Sequence, residues 1–509
     1  MLENFILGAQ VAFQPLSIAF IVFGVFWGII GGALPGITGS ISMALLLPFT
    51  WGMSPDIAIN TLAGVYVGAQ YGSSITAILI RTPGAPASAA TVLDGYTMHQ
   101  KGESARALGI SLWCGTIGGL LSVVALILLA FPLVELALAF GPPEYFATAL
   151  FGLTVVASLS GGNYIRGFIS GLFGLALATV GMDPFVGTAR FDFGEVNMLS
   201  GLELIAVMVG LFAVSEVLVQ ARSMSGWEKI KDTKLATKMP SMAEMKSLMP
   251  ITLVSSVIGI VVGAMPGAGA TIASFIAYAE AKRWSKHPEE FGKGCAEGIA
   301  APETANNAVT ASAFAPMVAL GIPGSGGAAI MLGALMLHGL RPGPMLFADH
   351  PDVVYGLFVG MFIANFAMLG LGILSLQAAC RIVNVPQPYL LATIMALVTI
   401  GTYSINNSIF DVLVAMVFGV VGYFMTRYNF SPPATVLGLV LGFLVETNLR
   451  RSLMISDIGW GIFFTRPISL VMLMLCFVSL VFPFYRDFRD RGKKKSQLKP
   501  GVVPAGELM

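Results

Sequence analysis

Residues 16–40 read LSIAFIVFGVFWGIIGGALPGITGS, a run from Leu16 to Leu34 that carries no charge and then meets Pro35, Gly36 and the hydroxyl residues Thr38 and Ser40. About 20 apolar residues in a helix cross a ~30 Å hydrocarbon core, so the run is long enough to span a membrane. The ProGly ends it at membrane depth, since proline lacks a helix-interior N–H and glycine weakens the turn. Peptide groups freed there survive only where protein or an aqueous cavity covers them. The break therefore predicts a cavity.

The same pattern recurs further along. GALPG at Gly32 to Gly36 returns as GAMPG at Gly263 to Gly267, and each is followed by a second ProGly, at Pro83-Gly84 and Pro323-Gly324. EYFATALFGLT from Glu144 resembles PYLLATIMALVT from Pro388, and Asn163 in SGGNYIRGF falls near the place of Asn407 in SINNSIFDV. Matches in the same order along both halves indicate an internal duplication.

Hydrophobic residues are 56% of the 509 and charged ones 11%, where about a quarter is charged in an ordinary globular chain. Further runs at Ala107 to Phe131, Leu202 to Val219, Val353 to Leu376 and Ile468 to Phe484 are apolar on nearly every face. That excludes the alternating pattern of a membrane barrel. The reading is an all-α polytopic membrane protein of roughly 12 transmembrane helices plus broken or re-entrant ones. A net charge of +1 leaves no extended basic surface for nucleic acid.

Arg222, Lys229, Lys231, Lys234, Lys238 and Lys246 form one basic cluster, and Arg486, Arg489, Arg491, Lys493 to Lys495 and Lys499 another. The positive-inside rule places both in the cytoplasm. WGMSPDI at 51–57 has no Lys or Arg, whereas the matching region of the second half holds Lys282, Arg283, Lys286 and Lys293. After the second ProGly the bias reverses, with Arg81, Lys101 and Arg106 against Arg341 beside Asp349 and Asp352. Matching loops on opposite sides mean inverted-topology repeats. Arg450 and Arg451, placed outside, fit this rule imperfectly. The expected organisation is a first repeat over 1–221, a cytoplasmic linker over 222–248, a second repeat over 249–447, an extra helix within 448–485 and a cytoplasmic tail over 486–509. A first segment without a basic n-region is expected to be retained.

No Walker A, HExxH or GxSxG motif is present, the histidines do not cluster, and Cys114, Cys295, Cys380 and Cys476 lack CxxC spacing and read as packing residues. Neither an enzyme nor a metal or organic cofactor is expected. The chemistry lies in the breaks. Half-helix N-termini expose N–H groups and a partial positive charge. Pro35, Gly36, Thr38, Gly39 and Ser40, with Pro323, Gly324 and Ser325, would thus hold an anion without arginine, and Pro83 and Gly84 belong to the matching element. Ser73 and Ser74 stand in a place similar to that of Asn306 and Asn307, as hydroxyl and amide donors to substrate oxygens. Glu303 and Asp411 are ionisable groups in apolar surroundings. Thr38, Thr271 and Glu303 are the candidates for a coupling ion. Asp94, Glu297 and Arg81 fall nearer loop ends and read as solvated. Helix packing through small residues is the competing account of the glycines and serines.

GALPGITGSISMALLLPFTWGMSPDIAINTLAGVYVGAQYGSSITAILIRTPGAPASAATVLDGY, with GAMPGAGATIASFIAYAEAKR, FGKGCAEGIAAPETANNA and LGIPGSGGAAIMLGALMLHGLRPGP, resembles the large permease (TctA) family of the tripartite tricarboxylate transporters. The resemblance spans nearly the whole chain. It implies a bacterial inner-membrane secondary transporter that takes up citrate and other carboxylates on a Na+ or H+ gradient. Its partners would be a small four-helix membrane subunit (TctB-like) and a periplasmic solute-binding protein (TctC-like). It also implies that Pro35 to Ser40, Gly72 to Ser74, Thr82 to Pro86, Pro302 to Asn307 and Ile322 to Ser325 line the substrate path. Arg81 stands where the family pattern usually has Asn. The related dicarboxylate (TRAP-type) permeases, an intramembrane enzyme and a non-transporting receptor are the alternatives.

Overall fold

The computed structural model describes residues 2–34, 36–156, 164–222, 239–265, 269–375 and 386–481. Pro35, Asn163, Pro266, Gly267, most of the linker and the basic tail lie outside the described residues.

The first half runs α1 (Leu2–Ala12), α2 (Pro15–Gly32), α3 (Gly39–Leu46), α4 (Pro55–Ile80), α5 (Ala89–Gln100), α6 (Ser104–Leu138), α7 (Pro142–Val156) and α8 (Tyr164–Ala178). After the two-residue strands β1 (Gly181–Met182) and β2 (Ala189–Arg190) come α9 (Leu204–Val209) and α10 (Ser215–Arg222), joined by a π turn into one rod. The second half runs α11 (Met242–Ala264), α12 (Gly269–Trp284), α13 (Glu297–Ser312), α14 (Phe314–Leu320), α15 (Gly326–Leu337), α16 (Pro344–Asp349) and α17 (Pro351–Ser375). It closes with α18 (Gln387–Asn406), α19 (Ile409–Arg427) and α20 (Pro432–Met454), and α21 (Ile462–Thr465) then bends by 88° into α22 (Pro467–Val481).

Local sequence sets these ends. Proline occupies the first turn of α2, α4 and α20, where its missing N–H costs nothing. Ser241, Ser408 and Ser431 cap α11, α19 and α20 by accepting from Glu244, Asp411 and Ala434 N–H at 3.2, 3.3 and 3.3 Å.

Among the described residues eight helices are long and apolar enough to cross a membrane, nine with the bent pair. Other helices fall short of that measure for a physical reason. In α4 every residue from Ile57 to Leu79 is buried in protein, so polar side chains such as Asn60, Gln70 and Ser73 replace the lipid-facing apolar ones. Helix α13 is buried in the same way from Gly298 to Ser312. The outer surface is the reverse: Leu128, Val257, Phe366, Leu374, Val417 and Phe477 are exposed. An apolar exterior around a polar centre is the arrangement of a multi-pass membrane protein.

Packing repeats between the halves. Helix α2 lies along α4 as α11 lies along α13, while α17 packs on α2 and α4 as α6 packs on α11 and α13. Each half therefore supplies the helix that covers the other half's central pair. The second ProGly behaves alike in both: a Cβ at Gly84 would lie 2.2 Å from the Gly32 carbonyl oxygen, and one at Gly324 2.4 Å from that of Gly263. Gly84 N–H donates to Ser73 O (3.3 Å) as Gly324 N–H donates to Ala313 O (3.4 Å). Arg81 and Gly321, both left-handed, end α4 and α14.

These contacts match Ser73 with Ala313, and the same spacing matches Asn306 with Tyr66. The expectation that Ser73 and Ser74 share a place with Asn306 and Asn307 is therefore corrected by about two helical turns. The shift arises because the loop after the first break is longer in the second half.

Candidate functional site

Two polar loci lie where the breaks of one half meet the other half. At the first, Thr38 caps α3 by accepting from Ile41 N–H (3.3 Å) and Ser325 caps α15 by accepting from Ala328 N–H (3.2 Å). Both N-termini face Tyr66 of α4. Its hydroxyl is hydrogen-bonded to Ser325 Oγ at 2.9 Å, and its ring stacks on Phe314 with centroids 5.7 Å apart. A Cβ at Gly327 would fall 2.3 Å from that ring, one at Gly39 3.2 Å from Ala69 with the ring next, and one at Gly326 3.0 Å from Ser40 Oγ. Glycine here keeps the two N-termini close. Thr38, Ser40 and Gly326 stay partly open while Tyr66 and Ser325 are buried.

Thr38, Gly39, Ser40 and Ser325 are thus brought together as the break pattern predicts, from opposite halves. Gly36, at φ +82, instead abuts Gln220 and Glu216 of α10. Gly72, Gly84 and Gly324 serve close helix packing, a Cβ at Gly72 meeting the Ile29 carbonyl oxygen at 2.4 Å. Pro83 and Pro323 hold the turns that precede α5 and α15. Pro35 lies outside the described residues.

The second locus gathers Ser73 and Ser74 of α4, Ser88 and Thr91 of the α5 region, Ser111 of α6 and Glu303, Asn306 and Asn307 of α13. Ser73 Oγ pairs with Ser88 Oγ at 2.6 Å and Ser74 Oγ with Ser111 Oγ at 2.7 Å. Thr91 Oγ1 donates to Glu303 Oε1, and Asn307 Nδ2 donates to the Glu303 carbonyl at 2.9 Å. Glu303 is fully buried. Its Oε2, both ends of the Asn306 amide, Asn307 Oδ1 and the Tyr71 hydroxyl make no hydrogen bond of good length and angle, although Ser111 and Asn306 lie beside the carboxylate. Thr271 lies half-exposed in the first turn of α12, which packs on 86–88 and on α13.

Asp94, read as solvated, is fully buried. Its Oδ1 accepts from the N–H groups of Gly292, Gly294 and Cys295 at 2.9, 2.9 and 2.8 Å, and its Oδ2 accepts from Tyr278 OH at 2.9 Å. The side chain ties α5 to the loop before α13. Beside this tie opens a cavity of about 750 Å³ lined by Lys101, Glu103, Arg106, Glu244, His287, Glu290 and Glu297 among others. Arg106 bridges to Glu244 Oε1 at 2.6 Å. Asp411 begins α19 and accepts from Asn406 Nδ2 at 3.0 Å. Arg81 is exposed, its guanidinium 5.9 Å from the Tyr96 ring centroid.

Tyr66, Tyr71, Thr91 and Ser111 are not singled out by the sequence. A tyrosine or threonine inside a helix carries no local mark. The available signal was their concentration in helices too polar to face lipid.

Comparison with known proteins agrees with this architecture. The model of the family described as "Tripartite tricarboxylate transporter TctA family" matches residues 18–437. A relative in Agrobacterium vitis, an uncharacterized 52.8 kDa protein in the TAR-I ttuC' 3' region, is 36% identical over 494 residues, covering 96% of this chain and 98% of the relative. Another from the same organism, an uncharacterized protein in the TAR-II ttuC' 3' region, is 37% identical over 236 residues, 46% of this chain and 98% of the relative. No solved structure matches the chain.

Proposed function

The chain belongs to the tripartite tricarboxylate transporter TctA family, a multi-pass permease component, and from that premise we propose that it carries a di- or tricarboxylate such as citrate inward on a Na+ or H+ gradient, at the Tyr66 locus. A TctC-like periplasmic binding protein delivers the anion, and a TctB-like small subunit completes the complex in the bacterial inner membrane. The C-terminus lies in the cytoplasm.

One observation carries this reading: two half-helix N-termini, from opposite halves, converge on the Tyr66 and Ser325 hydroxyls. Each N-terminus is equivalent to about half a positive charge, enough to favour a carboxylate in a site without a guanidinium or ammonium group. Hydroxyl donors then supply direction. Elements from different halves bound the site, so relative movement of the halves opens it to one side and closes it to the other, as in other repeat-built transporters. Nothing in this cycle calls for ATP.

The test is uptake of labelled citrate and other carboxylates into proteoliposomes holding all three components. Uptake should require the binding protein and collapse with the ion gradient. Uptake sustained by ATP alone, or unaffected by Ser325→Ala and Tyr66→Phe, would sink the proposal.

A further inference from the structure

Buried polar atoms in a folded protein are almost always partnered, so a concentration of unpartnered ones asks for an explanation such as an ion. Around Glu303 that concentration is high: Glu303 Oε2, the Asn306 amide and Asn307 Oδ1 occupy one face of α13, at i, i+3 and i+4, and the unpartnered Tyr71 hydroxyl belongs to the neighbouring α4. The Asn60 and Asn365 amides also have unpartnered atoms, but no carboxylate accompanies them. At Glu303 a full negative charge would have to be neutralised.

The unpartnered set is mainly acceptors. Asn307 has spent its N–H donor on the Glu303 carbonyl, which leaves Oδ1 open, and Thr91 satisfies only Oε1 of the carboxylate. A proton would satisfy the carboxyl group and one further oxygen. A small hard cation takes several oxygens at once and cancels the charge. Glu297, on the wall of the wide cavity, lies on the same helix about 9 Å from Glu303 at a rise of ~1.5 Å per residue, so the cavity ends near the site. Glu103, Glu244 and Glu290 give the same cavity further carboxylates.

We propose that Glu303, Asn306 and Asn307 of α13, with Thr91 alongside, form a Na+ site. The two equivalent break-bearing regions thereby divide the work, Tyr66 with the α3 and α15 N-termini taking the anion and Glu303 the coupling cation. The division follows from the sequence, because Asn306 and Tyr66 hold matching positions and only the second half adds the carboxylate. This assignment rests on the permease reading above, yet its test stands apart from transport.

Thermal unfolding of the purified full-length chain, at constant pH and ionic strength, should show a saturable rise in Tm with NaCl that KCl does not give. Glu303→Gln, which keeps the shape, should abolish the Na+ response. Glu303→Asp should retain it with half-saturation roughly tenfold higher, and Asn306→Leu should weaken it. Elution as a single monodisperse peak shows that each variant folds. No Na+-specific rise in the unmodified chain, a full rise in Glu303→Gln, or a rise that tracks pH in place of Na+ would each overturn the site. A Na+ response with no gradient-driven carboxylate uptake would leave the site standing and overturn the permease mechanism.

Discussion

Among single side chains, the Tyr66 hydroxyl joins the two halves at the anion locus, through Ser325 at 2.9 Å. A neutral hydrogen bond contributes about 0.5–1.5 kcal/mol net, so Tyr66→Phe should raise the carboxylate concentration for half-maximal uptake by about two- to tenfold without loss of folded protein. A KM unchanged by the substitution would remove Tyr66 from the site. Arg81 is a different case, holding the left-handed conformation (φ 59) that its counterpart Gly321 adopts at φ 73. Asn tolerates that region better than Arg, so Arg81→Asn should stabilise the protein by about 0.5–1 kcal/mol, read as a higher Tm. A lower Tm would mean that the guanidinium near Tyr96 matters more than the backbone. Thr38, Ser40 and Ser325 were legible in the sequence because they follow breaks in apolar runs. Tyr66 was not, because a helical tyrosine reads as packing until the crossing helix is known. Asp94 was misread since four residues far along the chain supply its partners.

Helices and breaks show why the fold was largely legible. Runs such as Leu16 to Leu34 and Val353 to Leu376 had to be helices in lipid, and α2 and α17 are. What sequence could not separate was a full span from a buried or partial one. Helix α4 is 26 residues long but polar within, and the α3 and α15 helices are too short to cross. Hydropathy measures the solvent a helix faces, and these face protein. The ProGly elements had been read as substrate contacts, yet Gly84 and Gly324 press on the carbonyls of Gly32 and Gly263. Their role is to let the second break nest against the first. Gly84→Ala and Gly324→Ala each place a Cβ within 2.4 Å of a backbone oxygen, and neither carbonyl moves without its helix. Both should reduce folded yield sharply and to a similar degree, since overpacking of this kind costs about 1–3 kcal/mol or more. Monodisperse protein in normal yield from either variant would show that the nesting is dispensable.

Across the whole molecule, charge orders the two faces. One face gathers the start of α6, the start of α11 and the 285–297 segment around the wide cavity, with Arg106 paired to Glu244. At the opposite end Asp183 of the β1–β2 loop meets Arg450 at 2.9 Å and Arg190 at 3.4 Å, and Glu446 binds Arg190 at 2.6 Å and Arg450 at 2.8 Å. Two acids offset two arginines, so the cluster as a whole carries no net charge. Backbone N–H donors from Phe185 and Val186, followed by Arg450, hold the Asp183 carboxyl below its usual range. A depressed folded-state value means that the unfolded chain binds the proton more readily. The resulting stabilisation is complete above the ordinary carboxylate range of about 4 and is lost as pH falls towards the folded value. A fluorophore on Val186→Cys should therefore report release of this loop with a midpoint below about 4, and Arg450→Met should move the midpoint upward. A midpoint that ignores Arg450 would dissolve the cluster as a structural tie. The same cysteine decides the orientation: a membrane-impermeant thiol reagent should label it in intact cells, whereas Lys286→Cys on the opposite face should react only after permeabilisation, and the reverse pattern would invert the whole topology.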